Sequence, residues 1–336
     1  MTDNQIVAKY GAHKNLTKNA LEKYVGRIKL ETGFKPGKEI DRRCIYDPNK
    51  TWRVHIEGTY QKKPAMLRVE NLILEHDEEA IREAFRRQAK GSGIRPPNTL
   101  LSKPFDKKKG FAFSIDERVN ATPLFDPAAD PQKAIKRFIP FYRGLKRTVE
   151  RPFWENDNGN ITSFSSKQAD LWMKLAKEKD PKNLQKVLPI AMRLRGAMLH
   201  ALPSGPLEFM HAHLCGSDVR VTKSGTFVVF ANHFWSWRQP GYDLAFPIWH
   251  QWMSLPPNRR TPQAIQFITE SWLKAIDQSL KKVVDPKNVR TLLLNRLFGS
   301  LLLDIPAKKN NENETEKTVE TLRAACVAEA ERLLKK

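Results

Sequence analysis

The sequence predicts an α+β protein of two lobes, a small β-rich one followed by a larger helical one. Two observations carry this. Apolar and polar side chains alternate along residues 51–60, a strand period, and Met66, Leu67 and Val69 mark a second apolar segment over residues 64–70 across a polar turn. After Pro131 the chain turns to a succession of long helical periods joined by proline-bearing connections. The length agrees, since 336 residues with 40% apolar content exceed the usual single domain of about 100–200 residues.

Along the chain, Leu16, Ala20, Leu21, Tyr24, Val25 and Ile28 repeat at helical spacing, and Gly33 and Pro36 end that helix. Trp52, Val54 and Ile56 mark a first strand and Met66, Leu67 and Val69 a second, with Gln61 to Lys63 as the turn. Residues 75–89 put Ala80, Ile81, Ala84 and Phe85 on one helical face, and Gly91 and Gly93 stop the helix. Strands follow at 99–102 and 110–115. Helices are then expected at 132–149, 166–178, 182–200, 242–253, 262–280, 289–303 and 315–334. A hairpin over 219–221 and 226–230, turning at Lys223 to Gly225, interrupts them. The expected organisation is a helical extension over 1–38, a β-rich lobe over 39–120, a helical lobe over 121–306 and a C-terminal helix over 307–336.

A formal charge of +21, from 58 basic and 37 acidic side chains, favours an anionic partner. Net charge sets long-range attraction rather than chemistry, so nucleic acid, nucleotides, phosphorylated metabolites, acidic glycans and anionic membrane surfaces all qualify. Cys44, Cys215 and Cys326 are few, odd in number and far apart, a poor basis for a disulfide framework or a zinc site, and a reducing compartment is expected. Residues 1–30 lack an apolar core of signal-peptide length. The apolar stretch at 292–305 is broken by Asn295, Arg296 and Asp304, so a cytoplasmic protein without a transmembrane segment is expected. The composition says nothing about oligomeric state.

Chemistry-bearing residues concentrate between His211 and Ala245. His211, His213, Cys215 and Asp218 form a polar loop before the hairpin, and Asn232 and His233 follow its second strand. No zinc-binding spacing is present; His200, His211, His213 and Cys215 could share a metal only if the loop folded around it. Phe246, Trp249 and Trp252 are spaced as a core-facing helical stripe, which leaves Trp235, Trp237 and Arg238 as candidates to line a ligand. The basic side chains of the 132–149 helix read as a solvated face.

The loop, the hairpin and the following Tyr242-Asp243-Leu244-Ala245 resemble the aminoglycoside phosphotransferase and choline kinase-like family, whose fold is protein-kinase-like. The resemblance runs from about Arg43 to Trp252. It implies that His213 stands at the catalytic Asp, two residues after His211, and that Asp218 stands at the metal-binding Asn five residues on. Asn232, or Ala231 one residue earlier, falls at the second metal ligand. Asp243 corresponds to the residue that braces the catalytic loop's backbone. Ala65-Met66-Leu67-Arg68-Val69 resembles the strand of the phosphate-binding Lys, with Arg68 at that Lys and Glu83 as its ion-pair partner. The stretch 111–124, with Glu117 near its centre, resembles the last strand and the adenine hinge.

ATP and magnesium are the cofactors this implies, with Arg68, Glu83 and Glu117 toward the nucleotide and Asp218 and Asn232 toward the metal. The departures bear on mechanism, because phosphoryl transfer needs metal-neutralised phosphates and a group orienting the acceptor hydroxyl. His213 lacks the fixed charge of Asp, the metal-site carboxylate and amide have exchanged places, and Arg68 replaces an ammonium by a planar fork. Asp47-Pro48-Asn49-Lys50 lacks the glycines of a phosphate-cradling loop. The readings are therefore a pseudokinase or a weak ATP-dependent phosphotransferase acting on a small hydroxylated or amino substrate, with a nucleic-acid-associated or scaffold protein of the same fold as the alternative.

Overall fold

A computed structural model describes residues 16–44, 51–157, 159–310 and 314–335, with side chains left aside at 42–44 and 310. The chain divides into two compact units. One comprises residues up to Thr122 together with Thr222–His233; the other comprises Pro123–Val221 and Phe234 onward.

In the first unit, helix α1 (Lys18–Thr32) starts where the Thr17 side chain accepts the Ala20 N–H, and ends at Gly33 with φ of 75°. Glycine has no Cβ to oppose that left-handed conformation. Strands β1 (Lys35–Cys44), β2 (Trp52–Tyr60) and β3 (Lys63–Glu70) follow, then helix α2 (Glu78–Gln88) and strands β4 (Ile94–Arg95), β5 (Thr99–Asp106) and β6 (Phe111–Glu117). Gln61 and Lys62, both at positive φ, make the two-residue turn between β2 and β3. The sheet is antiparallel in the order β1-β2-β3-β6-β5.

Alternation gives this sheet two unlike faces. Trp52, Val54, Ile56, Ala65, Leu67, Val69, Phe111, Phe113 and Ile115 bury one face with Leu21 and Ile28 of α1. The expected extension over 1–38 thus shares the lobe's own core, and β1 begins inside it. That strand was not expected, since Pro36 read only as the end of the first helix; proline, glycine and charged residues are tolerated at a sheet edge. The segment Thr222–His233 lies with this unit and not with the helical one: its strand Phe227–Val229 pairs in parallel with β4, Phe227 opposite Ile94. Parallel pairing between segments so far apart leaves no mark in a local pattern.

The second unit is helical: α3 (Pro131–Thr148), α4 (Ile161–Lys179), α5 (Pro181–Ala201), α6 (Tyr242–Ser254), α7 (Pro262–Leu280), α8 (Pro286–Gly299) and α9 (Glu316–Leu334). A π-helical segment, Ser300–Asp304, continues α8. Helix α8 packs on α5 and α6, and α7 on α3 and α9. Every residue of α6 from Tyr242 to Met253 is buried, so Phe246, Trp249 and Trp252 belong to the core as their spacing predicts. Trp249 Nε1 donates to Ser300 Oγ at 2.6 Å, and the Arg296 guanidinium lies 4.1 Å above the Trp249 ring, whereas the buried Trp252 Nε1 has no acceptor among the described residues. Among the described residues no helix is long and apolar enough to cross a membrane.

Candidate functional site

The second face of the β-rich sheet is charged and yet buried. Arg53 of β2, Arg68 and Glu70 of β3 and Asp116 of β6 occupy it, and α2 adds Glu78 and Arg82. Glu78 sits at the hub. Arg68 Nη1 approaches its carboxylate at 2.6 Å, Arg82 Nη2 at 3.1 Å and Arg53 Nη2 at 3.2 Å. Arg53 Nε also meets Glu70 at 2.5 Å, and Arg82 donates to Asp116 at 2.8 Å. His233, from the Thr222–His233 segment, brings its Nδ1 to 2.9 Å from Arg53 Nη1. A guanidinium only donates, so this imidazole nitrogen accepts. Three arginines thus face three carboxylates. Burial works to raise the Glu78 carboxyl, but Arg68, Arg82 and Arg53 together hold it well below the usual range. Burial likewise opposes the Arg68 charge, and Glu78, Glu70 and Asp116 overcome it and raise its pKa.

In the helical unit the loop from His211 to Asp218 is held from α6. Asp243 Oδ1 accepts the Ala212 N–H at 2.7 Å, the carboxylate also takes the His211 N–H, and Ala212 sits at φ of 62°. Burial raises the Asp243 carboxyl to about 7, against the pull of Lys146 and those two backbone donors. Beyond this brace the loop turns twice, Cys215 N–H to His213 O at 2.9 Å and Asp218 N–H to Cys215 O at 3.0 Å. The turns bring three side chains together. Asp218 Oδ2 lies 2.6 Å from His213 Nδ1 and 2.8 Å from Cys215 Sγ. Burial works to raise the Asp218 carboxyl, but His213 and the Cys215 thiol outweigh it and set it at about 2. The His213 ring stacks on Phe234, centroids 4.1 Å apart, with Phe246 at 4.4 Å.

Neither a protein-family model nor a curated protein sequence matches the chain. Solved structures do match in fold. The apo form of a thermostable mutant of aminoglycoside phosphotransferase APH(4)-Ia superposes with a TM-score of 0.57 at 11% identity, over 95% of this chain and 98% of that one. Amicoumacin kinase hAmiN, in complex with AMP-PNP, Ca2+ and Ami, gives 0.57 at 12% identity over 95% and 94%. The microcompartment-associated aminopropanol kinase gives 0.57 at 13% identity over 93% and 98%. The fold is that of the aminoglycoside phosphotransferases and choline kinases. Arg68 and Asn232 lie in the β-rich unit, and His211, His213, Asp218 and Asp243 in the helical one.

Within this kinase-like fold several assignments change. Glu83 does not pair with Arg68: it is half exposed on α2 and meets Arg86 and Arg87, whereas Glu78, five residues earlier, takes Arg68. Helix phase selects the inward glutamate, and α2 starts at Glu78, later than the pattern suggested. Glu117 is engaged by Arg95 and by the Asn98 backbone and side-chain amides. Asn232 is buried in a short turn and donates to Val229 O at 2.9 Å. Trp235 is also buried, stacked on Phe209, so it supports the loop and does not line a ligand. Asp47-Pro48-Asn49-Lys50 lies outside the described residues. Arg53, Glu78 and His233 had no signal as a group; only burial of charges within an alternating strand reveals them.

Gly216 explains how tightly the loop is seated. A Cβ there would meet the Phe125 carbonyl oxygen at 2.6 Å and its ring at 3.0 Å. Gly216→Ala is expected to cost about 1–3 kcal/mol, as an overpacked backbone contact does. Thermal unfolding would measure it, and an unchanged melting temperature would mean that the loop yields easily.

Proposed function

We propose that this protein is a pseudokinase, a small-molecule-kinase fold kept as a binding module without ATP-dependent phosphoryl transfer. One observation carries the reading: the arginine at the place of the phosphate-binding lysine is almost fully buried and meets two carboxylates, Glu78 and Glu70, in place of the single glutamate the resemblance implies, inside a charge-balanced cluster that Arg53, Arg82 and Asp116 complete. Arg68 spends its charge on Glu78 and Glu70. Arg53 takes the neighbouring position on the same sheet face and ties it to His233. Turning these guanidinium groups toward a triphosphate would strand Glu78 among low-dielectric surroundings, at several kcal/mol.

The loop in the helical unit supports the same conclusion. The carboxylate expected at the catalytic position is replaced by His213, which brings no fixed negative charge and whose ring packs against Phe234 and Phe246. Asp218, at the position of a magnesium ligand, already accepts from both His213 and Cys215. ADP or AMP-PNP with Ca2+ accompanies some of the matching kinases, but the residues here do not fit a magnesium triphosphate. The formal charge of +21 remains suited to an anionic partner, nucleic acid included.

Thermal-shift titration with ATP, with and without magnesium, tests this. The expected result is no stabilisation, whereas a ligand at a hundred times its Kd would add about 2.7 kcal/mol. A magnesium-dependent rise in melting temperature accompanied by ADP production would replace the reading with that of a weak phosphotransferase.

A further inference from the structure

The sequence has no zinc-binding spacing, but the folded loop builds what the spacing lacks. We propose that His213, Cys215 and Asp218 form a site for a borderline-soft divalent transition metal, of which zinc is the natural occupant. One imidazole nitrogen, one thiol sulfur and one carboxylate oxygen lie within 4.8 Å of one another. Ligand atoms around a tetrahedral zinc, at about 2.0–2.3 Å from the ion, stand roughly 3.2–3.8 Å apart. Asp218 Oδ2 is now 2.6 Å and 2.8 Å from its two partners. Side-chain movements of under about 1 Å therefore convert a hydrogen-bonded triad into a ligand set.

The chemistry selects the metal. Magnesium and calcium take oxygen ligands, whereas a thiolate with an imidazole favours zinc, cobalt or copper. Binding replaces the S–H bond of Cys215 by an S–metal bond, and that proton leaves to solvent. The His213 nitrogen that binds must be unprotonated, so a proton on it passes to the other ring nitrogen or to solvent. The thiolate and the Asp218 carboxylate then match the ion's two charges, which suits a buried position. Phe234 and Phe246 fix the imidazole plane, and the two backbone turns fix the spacing, as outer residues do in built metal sites. His213 retains 15% side-chain exposure, enough for an ion to enter and for water to complete the coordination. The proposal rests on the pseudokinase reading, since it uses His213 and Asp218, the residues at the expected catalytic and magnesium positions; the cobalt titration is read without nucleotide, so its failure leaves the ATP thermal-shift result standing.

Cobalt is the direct probe, because a Co–thiolate bond gives a charge-transfer absorption in the near ultraviolet. The full-length chain, stripped with chelator and titrated with Co2+, should bind one ion per chain with that absorption. Zinc should displace the ion and excess magnesium should not. Cys215→Ser should abolish the absorption and weaken binding at least about tenfold. Cys44→Ser and Cys326→Ser should keep both. If Cys215→Ser fails to fold, Asp218→Asn is measured instead, with weaker cobalt binding expected and unaltered affinity counting against the site. Absence of the absorption in the unmodified chain, or its persistence in Cys215→Ser, overturns the proposal.

Discussion

Replacing Glu78 by alanine is expected to lower the stability of the β-rich unit by about 3–5 kcal/mol, the range for leaving buried charges without their partner. The carboxylate is within 3.2 Å of Arg53, Arg68 and Arg82 at once, and it is almost fully buried. Its removal leaves three guanidinium groups to share Glu70 and Asp116, with one positive charge uncompensated. Glu78→Gln preserves shape and one acceptor but not the charge, so it should fall between alanine and the parent. The pH dependence follows from the direction of the shift. The carboxyl titrates well below its usual 4.5 in the folded chain, so its contribution is complete above that value. It is lost only as pH falls through the depressed folded value. The difference between parent and Glu78→Gln should therefore be flat from about pH 5 to 8 and shrink in strong acid. Chemical unfolding at several pH values measures this. A loss below about 1 kcal/mol for Glu78→Ala would mean that the arginines find water instead.

Asp243 carries the second large effect, of opposite sign in pH. Its carboxyl is raised from 3.8 to about 7, chiefly by burial. Between those values the unfolded chain has lost the proton that the folded chain keeps. Stability from this group is therefore present below about pH 4 and declines as pH rises through 7, by at most about 4 kcal/mol. Asp243→Asn removes the titration and retains an acceptor for the Ala212 N–H, so its stability profile should lose this fall over pH 4–7. Asp243→Ala should instead be destabilised by about 2–3 kcal/mol even at low pH, because the His211 and Ala212 amides lose their acceptor. It should also release Ala212 from its left-handed conformation and so loosen the loop carrying His213. Thermal unfolding of the three proteins across that range decides. A parent-like pH slope in Asp243→Asn would show that another group sets it.

Much of the fold is legible because its signals are local. Period-two alternation marks β2, β3 and β6, and helical spacing marks α1, α2 and the helices of the second unit within a few residues. Strand β1 escapes because an exposed edge accepts the proline, glycine and charges that elsewhere signal a loop. The short strands Glu208–Met210 and Ser236–Arg238 escape because each is defined by the other, across a long separation in sequence. In the loop, the brace was legible only through the resemblance, which implied it from the order of His211, His213, Asp218 and Asp243.

The sequence by itself determined the α+β order, a property of residue identity and near-neighbour spacing; the brace at Asp243 was implied by the resemblance to a known family, and the structure shows the contact. Only the tertiary structure decided that Glu78 and not Glu83 meets Arg68, that Arg53 joins them, and that Asp218 is shared by His213 and Cys215. Those outcomes depend on which charges are taken out of water together. Electrostatic strength follows burial and distance in space, and neither is encoded in separation along the chain.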